Sequence, residues 1–239
     1  MILMNSSVIN FLSELFNSSP KAVTAYFDML QNMLKGAGTS LSIFALTLFF
    51  AVPLALFICM GRMSRSKLVS VPVNWLLLVI RGTPLMLQLI VVYFAPYYVL
   101  GMKISSAYRF IAVIIGFAVN YAAYFAEIYR GGIESMPKGQ YEAAQVLGYG
   151  KTQTFWKIIL PQVIKRILPA VTNEIITLVK DTSLAFVIAV AEMFTIAKQI
   201  AAAQASIFPL MIAGAYYFIF NLVVALVMEY AEKKCNYYR

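Results

Sequence analysis

The stretch GAGTSLSIFALTLFFAVPLALFICMG, residues 36–61, contains no charged side chain and is bounded by Lys35 and Arg62. A helix rises 1.5 Å per residue, so about 20 mainly apolar residues cross the hydrocarbon core of a bilayer. This run meets that length and reads as a membrane-crossing helix. Composition agrees: 62% of the chain is apolar and 12% charged, whereas a soluble domain carries about 25% charged residues.

The same reading extends along the chain. Residues 68–102 form an apolar tract holding one charge, Arg81, and the part before that arginine is too short to cross alone. It reads as one long span, interrupted near Pro84, which lacks a backbone donor and favours a bend. Residues 110–129 make a third span, with Glu127 near its end; residues 167–191 a fourth, enclosing Glu174, Lys180 and Asp181; and residues 208–228 a fifth. The expected fold is an all-α integral membrane protein of about five transmembrane helices.

An odd number of spans puts the termini on opposite sides, and lysine and arginine placement orients them. Arg62, Arg65, Lys67, Arg130, Lys138, Lys151, Lys157, Lys165, Arg166, Lys233, Lys234 and Arg239 fall on one side, against Lys21, Lys35, Lys103, Arg109 and Lys198 on the other. The richer side is expected to be cytoplasmic, with the amino terminus outside and the carboxy terminus inside. The net charge of +9 is thereby accounted for, and its dispersal at span boundaries argues against a nucleic-acid partner. Cys59 and Cys235 fall at expected cytoplasmic ends, where a disulfide is unusual, so both read as packing residues. The amino terminus has no basic region or small-residue cleavage pattern of a signal peptide.

Residues 1–35 show apolar side chains at helical spacing (Val8, Leu12, Leu15, Phe16, then Val23, Phe27, Leu30, Leu34), with Ser19-Pro20 as a helix start. They read as interfacial helices on the outer face, residues 36–230 as one membrane domain, and residues 231–239 as a cytoplasmic tail. The one long connector, residues 131–166, reads GGIESMPKGQYEAAQVLGYGKTQTFWKIILPQVIKR. Pro137 suits a first helical turn, the following residues are good helix formers, and Gly148 suits the left-handed position that ends a helix. Ala143 and Ala144 would let another surface approach, Tyr141 and Val146 would anchor it, and Glu142 adds a charge. An amphipathic turn on lipid headgroups is the plainer alternative.

Glu142-Ala143-Ala144, then Gly148, Ile158 and Leu160-Pro161, keeps every spacing of the signature loop of ABC importer permeases. RGTPLMLQ (81–88), AEIYRGGIESMPKGQ (126–140) and NEIITLVKDTSL (173–184) resemble the polar amino acid branch of that family, the histidine, glutamine and arginine type. The resemblance covers residues 36–230 and implies the type I ABC importer permease fold in a bacterial or archaeal cell membrane, multi-pass. It implies a subunit that forms the pathway and is not itself an enzyme. Its partners would be a second permease copy or paralogue, cytoplasmic ABC ATPase subunits that bind ATP and Mg, and an extracellular or periplasmic solute-binding protein. The helix near 140–148, within a coupling loop of about 131–161, would couple to the ATPase through Glu142, Ala143, Ala144 and Gly148. Arg81, Gly82, Pro84, Glu127, Arg130 and Lys180 match the family blocks as structural positions. No cofactor is implied in this chain. Gly148-Tyr149-Gly150-Lys151-Thr152 ends like a phosphate-binding loop, but Gln145 stands where that pattern needs its first glycine.

Charges at bilayer depth cost about 2.5–3.5 kcal/mol each on insertion scales, so they point to a pathway. Glu174 and Asp181, seven residues apart, share nearly one helix face. Together they would receive an ammonium or guanidinium group. The structural alternative is that Glu174, Lys180 and Asp181 neutralise one another or a neighbouring span. Asp181-Thr182-Ser183 is also a place where the helix would break and expose backbone to a cavity. Asn120 is a third pathway candidate, with an interhelical polar contact as its rival role. Glu127 and Arg130 read as an intrahelical pair; Arg81 either snorkels to an interface or pairs with a neighbouring carboxylate. A secondary transporter or channel is the alternative function class, though no matched internal repeat is visible. A membrane enzyme is the less favoured class still, since the chain has no histidine and no cysteine with a base at recognisable spacing.

Overall fold

The computed structural model describes residues 20–235, with side chains from residue 28. The interfacial segment expected before Ser19 and residues 236–239 lie outside the described residues. Pro20 opens α1 (Pro20–Arg62), a single 43-residue helix. The expected separate interfacial helix around 20–35 is therefore continuous with the first span, and Met29 and Met33 pack against Met193 and Ala213. Below that segment, Ser40, Ile43, Thr47, Ala51, Ala55 and Cys59 are buried at intervals of three or four residues, the spacing of one helix face.

That stripe lies on α4 (Ser106–Glu134), the central helix, whose own buried face is rich in small residues: Ala112, Gly116, Ala122, Ala123 and Ala126. Small residues let helix backbones approach where hydrophobic exclusion from water does not drive association. At Gly116 the approach is close: a Cβ there would stand 2.7 Å from Leu89, on the helix that directly precedes α4.

Between them run α2 (Lys67–Gly82) and α3 (Leu85–Leu100), bent by 112° about Thr83-Pro84. The expected interruption is there, and it is a sharp turn. The carbonyls freed at the end of α2 find a donor in Gln88, whose Nε2 reaches Ile80 O at 2.7 Å and Thr83 O at 3.1 Å. Asn120 on α4 donates in turn to Gln88 Oε1 at 3.0 Å, so buried polar groups that lipid cannot satisfy are paired.

Beyond α4 lie the short α5 (Lys138–Val146) and α6 (Lys151–Thr154), a π-helical turn at Phe155–Ile159, and α7 (Leu160–Asp181). Pro161 offers no N–H to the carbonyl one turn before it, and the wide turn directly upstream accommodates that loss. After Asp181 the helix tightens into a 3-10 segment, Thr182–Ile188, and breaks before α8 (Met193–Gln204), bent by 57°. The expected span 167–191 is thus part of a longer, broken element. Finally α9 (Phe208–Cys235) lies along the outside, and it runs into the segment expected as a tail.

Among the described residues three helices are long and apolar enough to cross a membrane, Asp28–Arg62, Ser106–Glu134 and Phe208–Cys235; counting each bent pair as one span gives up to five.

Candidate functional site

Two features stand out, one at mid-length of α4 and one beyond its carboxy end. The first is built on Tyr121, buried and stacked on Phe117 with rings nearly parallel at 6.4 Å. Phe125 and Tyr129 continue the same aromatic row down α4. Stacking fixes the phenol, which donates to Asp181 Oδ2 at 2.7 Å. Asp181 is the last α-helical residue of α7, so its backbone sits where the helix changes pitch. Glu174 is half-buried and feels the charges of Asp181 and Arg81, while Tyr121 feels both carboxylates. Both carboxylates lie on the same α-helix, α7, where a seven-residue spacing puts them on nearly one face.

Glu174, Lys180 and Asp181 form no ion pair with one another among the described residues, and Lys180 is exposed, though its charge acts on the neighbouring Asp181. Tyr121 carried no signal in the sequence, because a tyrosine in an apolar run reads as packing. Only the crossing of α4 and α7 assigns it a carboxylate.

Glu192 was also invisible. It follows directly on the apolar run 167–191, yet it is fully buried. Its oxygens accept from Phe194 N at 2.7 Å, Thr195 N and Thr195 Oγ1 at 2.6 Å, Tyr217 Oη at 2.8 Å and Ser40 Oγ at 3.5 Å. It caps the start of α8 and ties that helix to α1 and α9.

Glu127 pairs with Arg130, 2.8 Å from Nη2 to Oε2, as its three-residue spacing predicts. Arg81 also reaches Glu127, at 3.6 Å, and Arg62 at 3.5 Å. Of the two readings of Arg81, pairing with a neighbour's carboxylate is the one observed.

The second feature is α5. Pro137 takes the position before the first helical residue. At the other end Gly148, at φ +77°, lets its N–H reach Gln145 O at 2.9 Å and Tyr149 N–H reach Ala144 O at 3.0 Å. These are the two bonds of a Schellman stop. The helix is held to α7 by Gln162 Nε2 to Gln140 Oε1, 3.3 Å, and the turn leading into it by Arg166 Nη1 to Ser135 O, 2.7 Å. Met136, Ile159 and Val163 form a small core beneath, with Tyr141 packed on it. Gly132 permits the close approach of α4 to Ile167; a Cβ there would overlap that side chain.

One expectation for this helix is corrected. Ala144 is 1% exposed and faces the chain's own core, so only Ala143 of the pair is open to another surface; Val146 is 88% exposed. Leu147 is 72% exposed. Glu142 also faces outward. Gly148-Tyr149-Gly150-Lys151-Thr152 forms the junction between α5 and α6, the first glycine ending one helix and Gly150 capping the next. A cavity of about 370 Å³ beside it is lined by Tyr141, Gln145, Tyr149, Lys151, Thr154 and Phe155.

Residues 51–237 match the family described as the binding-protein-dependent transport system inner membrane component. The chain belongs to this family. Relatives of this inner membrane component include an arginine transport system permease of Bacillus subtilis, 35% identical over 88% of this chain and 95% of that one. An octopine transport system permease of Rhizobium radiobacter is 34% identical over 84% of each. A crystal structure of an amino acid ABC transporter with histidines superposes with a TM-score of 0.79 at 32% identity, covering 90% of this chain and 98% of the other. The transport component described here is thus an α-helical permease whose fold is shared at close range.

Proposed function

We propose that this chain is the permease subunit of an ATP-binding-cassette importer for polar amino acids, with basic ones favoured. The observation that carries the reading is α5, a helix pinned by its Schellman stop and by α7 while Val146 and Leu147 stand bare. A rigid helix with an unpartnered apolar end is what a separate motor subunit would grip. Its movement would pass through α4 and α7 as a hinge or shear displacement.

In this reading Glu142, Ala143 and the exposed end up to Gly148 meet a cytoplasmic ATPase, which holds the ATP and Mg. The amino terminus lies outside a bacterial cell membrane. A second permease copy or paralogue completes the pathway, and an extracellular binding protein delivers the substrate. The relatives named for arginine and octopine and the carboxylates of Asp181 and Glu174 both suit a substrate with a cationic group. Asn120 contributes by holding the α2–α3 turn through Gln88.

The reading is tested by purifying the complex with its ATPase and measuring uptake and ATP hydrolysis in proteoliposomes. Val146→Asp is expected to reduce ATPase co-purification at least about tenfold, as a charge forced into an apolar contact would, while the permease stays folded. Undiminished association, or uptake that continues when the ATPase cannot hydrolyse ATP, would return the chain to the secondary-transporter class.

A further inference from the structure

Three guanidiniums converge on Glu127, and the cluster is not neutral. Arg130 is its satisfied member: it bonds both oxygens of Glu127 and also pairs with Glu134. The other two stand off, Arg62 Nε at 3.5 Å and Arg81 Nη1 at 3.6 Å, where a charge-assisted bond is usually about 2.7–2.9 Å. Arg62 Nε is buried and has no hydrogen-bond partner. Within the cluster Arg62, Arg81 and Arg130 outnumber Glu127 and Glu134 by one, and the next carboxylate, Glu174, stands on α7.

Between Arg62 and Arg81 opens a cavity of about 350 Å³, lined also by Asn74, Leu77, Leu78 and Gly82. Arg81 stands on the face of Tyr124, 5.4 Å from the ring centre, with 43% of its side chain exposed. Glu174 on α7 lies within its field. Arg81 therefore borders the cavity and also interacts with Glu174. Glu127 also borders the cavity, but Arg130 already compensates its charge, so it does not close the site to an anion.

Guanidiniums that outnumber the carboxylates of their cluster and are held partly out of water favour a small oxyanion, and Arg presents it a bidentate fork. Every amino acid zwitterion carries such a group. We propose that the cavity between Arg62 and Arg81 is an anion subsite that receives the α-carboxylate of the transported amino acid, while Glu174 and Asp181 hold its cationic end. Arg81 is the principal donor, with Asn74 and the Nε of Arg62, which makes no hydrogen bond, beside it. The subsite rests on the pathway reading above and adds to it the end of the substrate that the acidic pair cannot recognise. A phosphate from an anionic lipid headgroup has the same chemistry, and the test separates the two.

The permease–ATPase complex is placed in phosphatidylcholine nanodiscs, with and without phosphatidylglycerol, and equilibrium binding of L-arginine and L-argininamide is compared. The amide lacks the carboxylate and keeps the guanidinium. The native complex is expected to prefer L-arginine at least about tenfold, the size of a charged hydrogen bond lost. Arg81→Gln brings the ratio near one by weakening L-arginine alone, and Arg81→Lys restores part of it. If Arg81→Gln fails to assemble, Asn74→Leu carries the test with a smaller fall in the same ratio. A ratio near one in the native complex, or one unchanged in Arg81→Gln, overturns the proposal. So does binding that follows phosphatidylglycerol content while ignoring the carboxylate, which assigns the cavity to lipid. Should both ligands still depend on Asp181 after such a result, the pathway reading stands and the subsite alone is lost; binding indifferent to Asp181→Asn would remove the pathway reading itself.

Discussion

Asp181 and Glu192 stand at the two ends of one break in the chain, the 3-10 segment and bend between α7 and α8, yet their surroundings are opposite. Glu192 is fully buried and accepts from two backbone N–H groups and three hydroxyls. Asp181 is partly exposed and its side chain accepts from one phenol, Tyr121. A carboxylate has about four lone-pair positions. Glu192 has filled its own and has nothing to offer a ligand, whereas Asp181, with one donor among the described residues, retains unfilled acceptors. Counting donors therefore separates a structural acid from an available one where burial and sequence context do not.

The largest expected effect tests the structural half of this contrast. Glu192→Ala strands buried donors of Ser40, Thr195 and Tyr217 and removes the cap of α8. Stranded buried groups of this kind cost about 3–5 kcal/mol, so the variant is expected to lower the unfolding midpoint of the purified complex sharply or to fail to accumulate. A midpoint within a degree or two of the native one would mean that the donors are rewetted or re-paired at little cost.

Asp181→Asn tests the other half. It keeps an oxygen for Tyr121, so stability is expected to change by less than about 1 kcal/mol. Substrate-stimulated ATP hydrolysis and uptake are expected to fall at least about tenfold. Uptake at the native rate would take Asp181 off the pathway and leave the contrast with Glu192 one of solvent exposure only.

What the sequence disclosed follows the range over which each signal acts. Pro84, Pro137 and Gly148 set the α2–α3 turn and both ends of α5 through their own backbone chemistry, and each was readable from its immediate neighbours. The spacing of Glu174 and Asp181 was readable because one helix carries both. Partners on other helices were not: Ser40 lies 152 residues from Glu192, and Tyr121 lies 60 residues from Asp181. The inward turn of Ala144 likewise depends on where α7 returns beneath α5. A hydrophobic run in a membrane protein does not say which of its faces meets protein and which meets lipid, since both are apolar. Periodicity could therefore place the spans, while the polar contacts across them waited for the packing.

The smallest effect is the sharpest comparison, because the same single oxygen is removed at both ends of the break. Tyr217→Phe takes one of five donors from Glu192, and Tyr121→Phe takes the one donor from Asp181. Each is expected to cost about 0.5–1.5 kcal/mol in stability, read as a shift of the denaturation midpoint. Their transport phenotypes should part. With four donors left, Glu192 holds α8 in place and the Tyr217→Phe complex keeps its native KM for uptake. Without Tyr121 the Asp181 carboxylate is free to change rotamer, so Tyr121→Phe is expected to alter KM several-fold with little change in the rate at saturating substrate. Equal KM values in the two variants would show that the phenol only packs, and the distinction between a filled and an open carboxylate would then have no consequence for transport.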